Sequence, residues 1–168
     1  MSEQKPPPPK PGEVVTARVK QVAPFGLFMD YCGHDLLLLI PETSWVASYA
    51  SCEQLADVDD EFRVRVLHYA EGRDRYAVSH KAVYPDSNPW GNSCELRVGD
   101  TLEATVVRPV KRADRCGDGA GWLLELRPGA YVVLCGHGDA AWAKGEQCRV
   151  TVTAVAPDQR VVEVRLAL

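Results

Sequence analysis

Two phenylalanine rings lie close together in the chain and offer flat surfaces on which a planar ligand can stack. Phe25 and Phe28 flank Gly26 in the segment VAPFGLFMDY, residues 22–31, which is otherwise typical of a strand. Residues three apart in a regular strand point to opposite faces. The spacing therefore predicts a backbone bend at Gly26 that brings both rings to one surface. The alternative is that one ring caps the core and the other packs on a linker.

Three basic side chains, Lys20, Arg65 and Arg75, occur in the predicted strands near these rings. Bases stack on exposed aromatic rings with about 1–3 kcal/mol each, largely independent of sequence. Flanking cations meet phosphates at a modest gain each. Rings and cations together predict a surface for single-stranded nucleic acid.

Composition limits the possible functions. The chain has 168 residues, 46% of them hydrophobic, as in ordinary globular proteins. Its net charge of −4 and its lack of a basic tail argue against tight, nonspecific nucleic-acid binding. The chain contains no apolar run near the ~20 residues of a membrane span, and the N-terminal sequence MSEQKPPPPKPG lacks the features of a secretory signal. A cytoplasmic protein without membrane contact is predicted.

The six cysteines contain no C-x-x-C pair and are predicted to be reduced, small hydrophobic side chains. Two Cys-Gly-His triplets, at 32–34 and 135–137, do not occupy equivalent places and lack a second ligand pair, so no metal site is predicted. No nucleophile, base and orienting group recur at a catalytic spacing. We expect no cofactor, no catalytic residue and no enzymatic activity.

Alternation of apolar and polar residues predicts five strands, a linker and five strands again, with a repeat near 86 residues. The fold class is therefore all-β: two five-stranded OB-fold barrels in tandem, with a short helix near 51–57 between the third and fourth strands of the first. The predicted organisation is a disordered Pro-rich tail, a first domain, a linker and a second domain, at 1–11, 12–84, 85–97 and 98–168.

With this layout, the sequence resembles tandem RNA-binding domains of the S1 type, OB-fold modules named for a bacterial small-subunit ribosomal protein. The resemblance covers about residues 12–110; residues 111–168 share only the layout. The motifs that carry it are, in order, PGEVVTARV, FGLF, LIPETSW, VSHK, NPWGN and VGD.

The resemblance implies roles for particular residues. Phe25 and Phe28 match the two aromatic residues that lie on the outer barrel face and stack bases, and Arg75 matches a basic residue that contacts the RNA backbone. A histidine commonly follows the third strand of such domains, where this chain has Leu39. An aspartate is frequent in the last turn, where the nearest match is Glu71.

The second repeat departs further from the pattern. Ala120 and Leu123 stand at the ring positions, and Trp122 is shifted by one. This domain is predicted to keep the barrel and lose the ligand surface, with Trp122 as an alternative, displaced stacking residue. Trp45 and Trp90, near the predicted linker, are expected to pack the two domains together.

These patterns predict a non-enzymatic protein that binds single-stranded RNA through Phe25, Phe28 and Arg75, with Lys20 and Arg65 beside them. The resemblance implies work in translation or RNA metabolism, with the ribosome or another protein as a further partner. The principal alternative is a protein-interaction scaffold built from OB barrels, because fold does not fix function. A regulatory subunit of a nuclease is a third interpretation.

Overall fold

The computed structural model describes residues 7–47, 49, 51–90, 95–111, 116, 120–137 and 139–167. Within these residues the regular elements are β-strands and single 3-10 turns, which confirms the all-β class. No helix in this part of the chain is long and apolar enough to cross a membrane. The strands are β1 (Val14–Ala23), β2 (Gly26–Tyr31), β3 (His34–Leu39), β4 (Glu61–Ala70), β5 (Arg75–Ser79), β6 (Thr101–Val110), β7 (Gly121–Arg127), β8 (Ala130–Cys135), β9 (Gln147–Ala156) and β10 (Val161–Leu166).

The first compact unit comprises the described residues within 1–43 and 51–83. Its strands form a closed barrel in the order β1-β2-β3-β5-β4. All neighbours are antiparallel except β3 and β5, which pair in parallel and close the barrel. Alternating residues of β1, Val15, Ala17 and Val19, are buried inside, as the sequence pattern predicted.

The predicted short helix near 51–57 is a single 3-10 turn, Cys52–Gln54. The Ser51 side chain accepts a hydrogen bond from the backbone N–H of Glu53 at 3.2 Å and caps this turn. Cys52 is buried against the barrel. One anchored turn satisfies the local backbone, and no longer helix forms.

The second compact unit comprises the described residues within 44–50 and 84–168. Its strands follow the order β10-β9-β6-β7-β8, which matches the first barrel strand for strand. Among the described residues, β8 and β10 lie in contact but share no backbone ladder. This sheet is therefore barrel-like rather than closed by hydrogen bonds.

Two β-bulges recur at matched places in the two units. The register of β1 shifts between Val19 and Gln21, and that of β6 between Val106 and Arg108. The fourth strand of each unit is also shifted where it pairs with the fifth. Because a bulge bends and twists its strand, it lets a ten-residue strand curve around a small barrel. The tandem repeat is therefore visible in the backbone as well as in the strand order.

A glycine opens the second strand of each unit because a neighbouring backbone carbonyl lies too close for a side chain. A Cβ atom on Gly26 would lie 2.8 Å from the Leu38 oxygen, and one on Gly121 would lie 2.6 Å from the Leu134 oxygen. The prediction that the backbone bends at Gly26 is therefore wrong, because Gly26 forms a regular antiparallel pair with Ala23. The glycine is needed for the close approach of β3.

A short segment before the first 3-10 turn belongs to the core of the second unit. Val46 is 1% exposed and lies in that core. The Trp45 N–H donates to the Gly129 carbonyl at 2.9 Å, and the Ala47 N–H donates to the Arg160 carbonyl at 2.8 Å. These carbonyls lie in the β7–β8 and β9–β10 turns, so the segment links the two hairpins whose strands β8 and β10 do not pair.

Trp45 and Trp90, predicted to pack the domains together, both pack on the core of the second unit. The Trp45 indole N–H donates to the Tyr84 carbonyl at 3.0 Å, and the Trp90 indole N–H donates to the Trp45 carbonyl. Each buried indole therefore has a partner for its polar atom, as such rings normally require.

The prediction that all cysteines are reduced, small hydrophobic side chains is wrong for two of them. Cys116 and Cys135 form a disulfide, with Cα atoms 5.2 Å apart. Cys52 is buried as predicted, whereas Cys32 is exposed; Cys94 lies outside the described residues. A separation of 19 residues gave no motif, because the pair joins Cys116, which lies between β6 and β7, to Cys135 at the end of β8. Disulfides are typical of oxidising compartments, so the cysteine pattern no longer supports the predicted location.

Candidate nucleic-acid interface

A row of outward-facing side chains crosses all five strands of the first barrel. Strand register pairs Gln21 with Phe28, Phe28 with Leu37, Leu37 with Ala77 and Ala77 with His68. Directly paired residues share a face of a sheet. Their strand neighbours, such as Leu27 and Leu38, point inward and are buried. The row therefore marks the outer face of the barrel, on which Leu37 is covered at 6% exposure and the other members are exposed or half-buried.

Phe25 and Phe28 reach this face together. Phe25 lies in the two-residue turn between β1 and β2 and is 52% exposed, whereas Phe28 lies on β2 and is half-buried. The ring centroids are 5.8 Å apart and the planes meet at 89°, an edge-to-face contact. The two rings share one surface, as the spacing predicted, but a turn brings them there rather than a bend within the strand.

Arg75 lies over the inner ring of this pair. Its guanidinium carbon is 5.0 Å from the Phe28 centroid, within the range of a cation–π contact. Its Nε–H donates to the Arg73 carbonyl at 3.2 Å, which holds the side chain across the ring. The guanidinium adds a second planar surface and a positive charge over Phe28, the ring that Phe25 contacts.

A cavity of about 350 Å³ opens beside Phe28 and Arg75. Lys20 and Asp35 form an ion pair on its rim and are each about half exposed, at 47% and 55%. Such an exposed pair contributes at most about 1 kcal/mol to folding. The residues that line the cavity are Lys20, Gln21, Phe28, Asp35, Leu36 and Arg75.

Arg65 lies apart from this group. Its side chain donates to the Gly12 carbonyl at 2.7 Å and to the Ala82 carbonyl at 3.1 Å. These bonds tie the chain before β1 to the chain after β5, which is a structural role. The structure thus brings four of the five predicted residues to one face and leaves Arg65 elsewhere.

The two residues at which the chain departs from the S1-type pattern, Leu39 and Glu71, both lie in the first unit. Leu39 is 40% exposed, and the next residue, Ile40, donates its N–H to the Phe25 carbonyl at 2.9 Å. Leu39 therefore lies near the rings and offers them an apolar neighbour without a polar atom. Glu71 is exposed in the 3-10 turn between β4 and β5.

Sequence reasoning missed Gln21, Asp35 and His68. By strict alternation from the buried Val19, Gln21 would point inward; the bulge before it turns it outward. The bulge at Leu67 does the same for His68. Asp35 could have been found, since it immediately precedes the buried Leu36 and must face outward.

Among the residues that the structure describes, the matching face of the second unit lacks the paired rings. Leu123 occupies the position of Phe28 and is fully buried. Trp122 is 6% exposed on the inner side of its strand, and its indole N–H donates to the His137 carbonyl at 2.8 Å. The alternative of Trp122 as a displaced stacking residue is therefore wrong; the ring belongs to the core.

Arg75 has no counterpart on that face among the described residues, although Arg108 stands where the first barrel has Gln21. Val161 begins β10 where Arg75 begins β5, and Glu163 stands where the first barrel has Ala77. Among the described residues of the second unit, this face offers no exposed ring beside a cation. The predicted loss of the ligand surface agrees with this arrangement.

A five-stranded barrel with exposed rings and a cation on its outer face has the layout of an OB-fold nucleic-acid binder. A profile of the S1 RNA binding domain family matches residues 8–81, which lie in the first barrel apart from the segment 44–50. Residues 8–81 are thus an S1 RNA binding domain.

Full-length relatives extend beyond this chain. The small ribosomal subunit protein bS1 of Streptococcus pneumoniae is 36% identical over 98 residues, which cover 58% of this chain and 24% of the relative. Its homolog from Bacillus subtilis is 31% identical over 122 residues, 70% of this chain and 28% of the relative. The chain spans about a quarter of the length of these curated relatives.

Among solved structures, that of GSP13 from Bacillus subtilis is similar at a TM-score of 0.41 and 21% identity, over 52% of this chain and 65% of that chain.

Proposed function

We propose that this protein binds single-stranded RNA through the outer face of its first barrel and acts in translation or RNA metabolism in the cytoplasm, without catalysing a reaction. The observation that carries the proposal is the exposed Phe25–Phe28 pair with the Arg75 guanidinium over it, inside the segment that matches the S1 RNA binding domain. The similarity to ribosomal protein bS1 supports translation and the cytoplasm as the cellular context, whereas the Cys116–Cys135 disulfide argues against a reducing compartment.

Each ring has a distinct part in binding. Phe25, with its larger exposed area, takes one base by stacking, which contributes about 1–3 kcal/mol. The neighbouring base lies at Phe28, against the planar guanidinium of Arg75, because arginine planes stack on bases as aromatic rings do. The charge of Arg75 then lies close to the RNA backbone.

Few cations contribute, so the binding is modest in strength. Lys20 and Arg75 are the basic residues that line the cavity, and Lys20 shares its charge with Asp35. Two phosphate contacts give a slope of about −1.4 for the logarithm of affinity against that of salt concentration. A ribosomal or other protein partner then adds the rest of the affinity in the cell.

The test is a fluorescence titration of labelled decauridine with the wild type and with Phe25→Ala/Phe28→Ala. Loss of two stacking contacts should weaken binding at least about tenfold. Tyr69→Ala is the matched control, because it removes a ring that is 43% exposed on the same barrel but outside the cavity lining.

Circular dichroism of all variants establishes that the barrels remain folded. Equal affinity for wild type and double variant would contradict the stacking proposal. No binding by the folded wild type would favour the second candidate function, a protein-interaction scaffold. The absence of paired rings from the described face of the second unit is the observation that favours it.

A further inference from the structure

A carboxylate lies where a polyanion is proposed to bind. Asp35 lines the same cavity as Phe28 and Arg75, yet its charge repels phosphates. Its partner Lys20 cancels that charge locally and comes from a different strand, at the bulge of β1. The ion pair is half exposed and contributes little to folding. The Asp35 carboxylate accepts hydrogen bonds and the Lys20 ammonium donates them. This pair therefore suits a ligand group that carries a donor beside an acceptor.

The cavity has the size and the wall for a base. Its volume of about 350 Å³ falls in the usual range of small-ligand sites, about 300–1,000 Å³. Phe28 lines it with an aromatic ring, and Lys20, Asp35 and Arg75 line it with charged groups. A base stacked at Phe28 would therefore turn its hydrogen-bonding edge toward Lys20 and Asp35.

The chemistry of the pair distinguishes among the bases. The Watson–Crick edge of guanine carries an acceptor, O6, beside two adjacent donors, N1–H and the N2 amine. The Lys20 ammonium donates to O6 while the Asp35 carboxylate accepts from both donors, in a charge-assisted, two-point contact. Uracil offers one N–H between two carbonyl oxygens that repel a carboxylate, and adenine and cytosine each offer a single amine.

We propose that the cavity beside Phe28 selects guanine, read by the Lys20–Asp35 pair. This inference rests on the proposed function, because it names the base preferred at the same face. Stacking supplies affinity for any base, and the ion pair supplies the preference for one.

The experiment compares decauridine with two derivatives that carry a single central guanosine or inosine. Inosine keeps O6 and N1–H but lacks the N2 amine, so the ratio of the two affinities isolates the second contact to the carboxylate. The wild type should bind the guanosine oligomer about fivefold more tightly than the inosine oligomer, and more tightly still than decauridine.

Asp35→Asn should reduce the guanosine-to-inosine ratio to below about twofold, since the neutral amide offers one acceptor in place of two. Asp30→Asn is the matched control: Asp30 pairs with Asp35 across β2 and β3 but does not line the cavity. Both variants remove one negative charge, and the resulting loss of repulsion toward the RNA backbone is common to all oligomers and cancels in the ratio. Lys20→Gln provides an independent second variant and should lower the preference for guanosine over uridine.

Equal binding of all three oligomers by the wild type would overturn the inference and leave the proposed function standing. A ratio that survives Asp35→Asn, or falls equally in Asp30→Asn, would also overturn it. If no oligomer binds to the folded wild type, the proposed function fails first and the inference with it.

Discussion

On the first barrel, Phe28 and Arg75 occupy the second and fifth strands and form a cation–π contact at the surface. On the second, Leu123 and Val161 occupy the matched positions and are buried. The two faces thus differ in chemistry while the strands beneath them share order, bulges and the initial glycine. Outward side chains can change while inward residues and backbone constraints preserve the barrel, which is how one fold serves different functions.

The largest losses of stability are expected from substitutions of the matched glycines, Gly26 and Gly121. Gly121→Ala should destabilise the second unit by about 3 kcal/mol, since the new Cβ atom would lie 2.6 Å from the backbone oxygen of Leu134, which has little freedom to move. Gly26→Ala should destabilise the first unit somewhat less, at 2.8 Å from the Leu38 oxygen.

All four tryptophans, Trp45, Trp90, Trp122 and Trp142, lie in the second unit, so tryptophan fluorescence during urea unfolding reports that unit alone. Circular dichroism follows Gly26→Ala, for which Gly72→Ala in the same unit is the control, because a Cβ atom at Gly72 meets nothing within 4 Å. A Gly121→Ala midpoint equal to that of the wild type would refute the close-approach explanation.

Alternation predicts which residues of a strand are buried only as far as the first bulge. Alternation in β1 correctly placed Val15, Ala17 and Val19 in the core, because burial of one face imposes a period of two. A bulge adds one residue and inverts the period beyond it, and no residue type announces it. Gln21 and His68 therefore escaped prediction. Phe25 and Phe28 were singled out by their type and spacing, and the family resemblance matched them and Arg75 to functional positions.

The packing of the 44–47 segment was equally hidden, because it depends on contacts far apart in sequence. The Ser44 hydroxyl accepts from the Tyr131 N–H at 3.0 Å across 87 positions. No local pattern predicts such a pair. The segment also distinguishes the two units. The first barrel closes through the pairing of β3 with β5, whereas β8 and β10 of the second unit share no ladder among the described residues, and Val46 packs into the core there.

Truncation of Val46 sharpens this difference. Val46→Ala should destabilise the second unit by about 2 kcal/mol, because two buried methyl groups are lost and a cavity remains. RNA binding by the first barrel should be unchanged. Tryptophan fluorescence measures the first effect and decauridine titration the second. Val98→Ala, at a residue of the same unit that is 65% exposed, should change neither. A Val46→Ala midpoint within error of wild type would show that the segment is dispensable.

Lowering the pH should change the free energy of unfolding of the two units in different directions. His80 in the first unit is buried, and burial lowers its pKa, although its Nδ1–H donates to the Arg63 carbonyl at 2.6 Å. The unfolded chain therefore takes up a proton near pH 6.5 that the folded barrel resists. Below that pH the first unit should lose up to about 1.4 kcal/mol per pH unit, until the lowered folded pKa is reached.

The second unit should respond in the opposite direction. Burial raises the pKa of Glu125 above its usual 4.5, against hydrogen bonds from Tyr131 and Gly129 that lower it. The protonated carboxyl is the form that the fold prefers, so this group's stabilising effect is present below pH 4.5 and is lost as pH rises through the raised folded pKa.

Between about pH 6.5 and pH 5, urea unfolding followed by circular dichroism should show the first unit weakening. Tryptophan fluorescence should show that the second unit does not weaken, and His80→Gln should abolish the acid sensitivity of the first. Parallel losses in both units would contradict the assignment, since no buried histidine is described in the second.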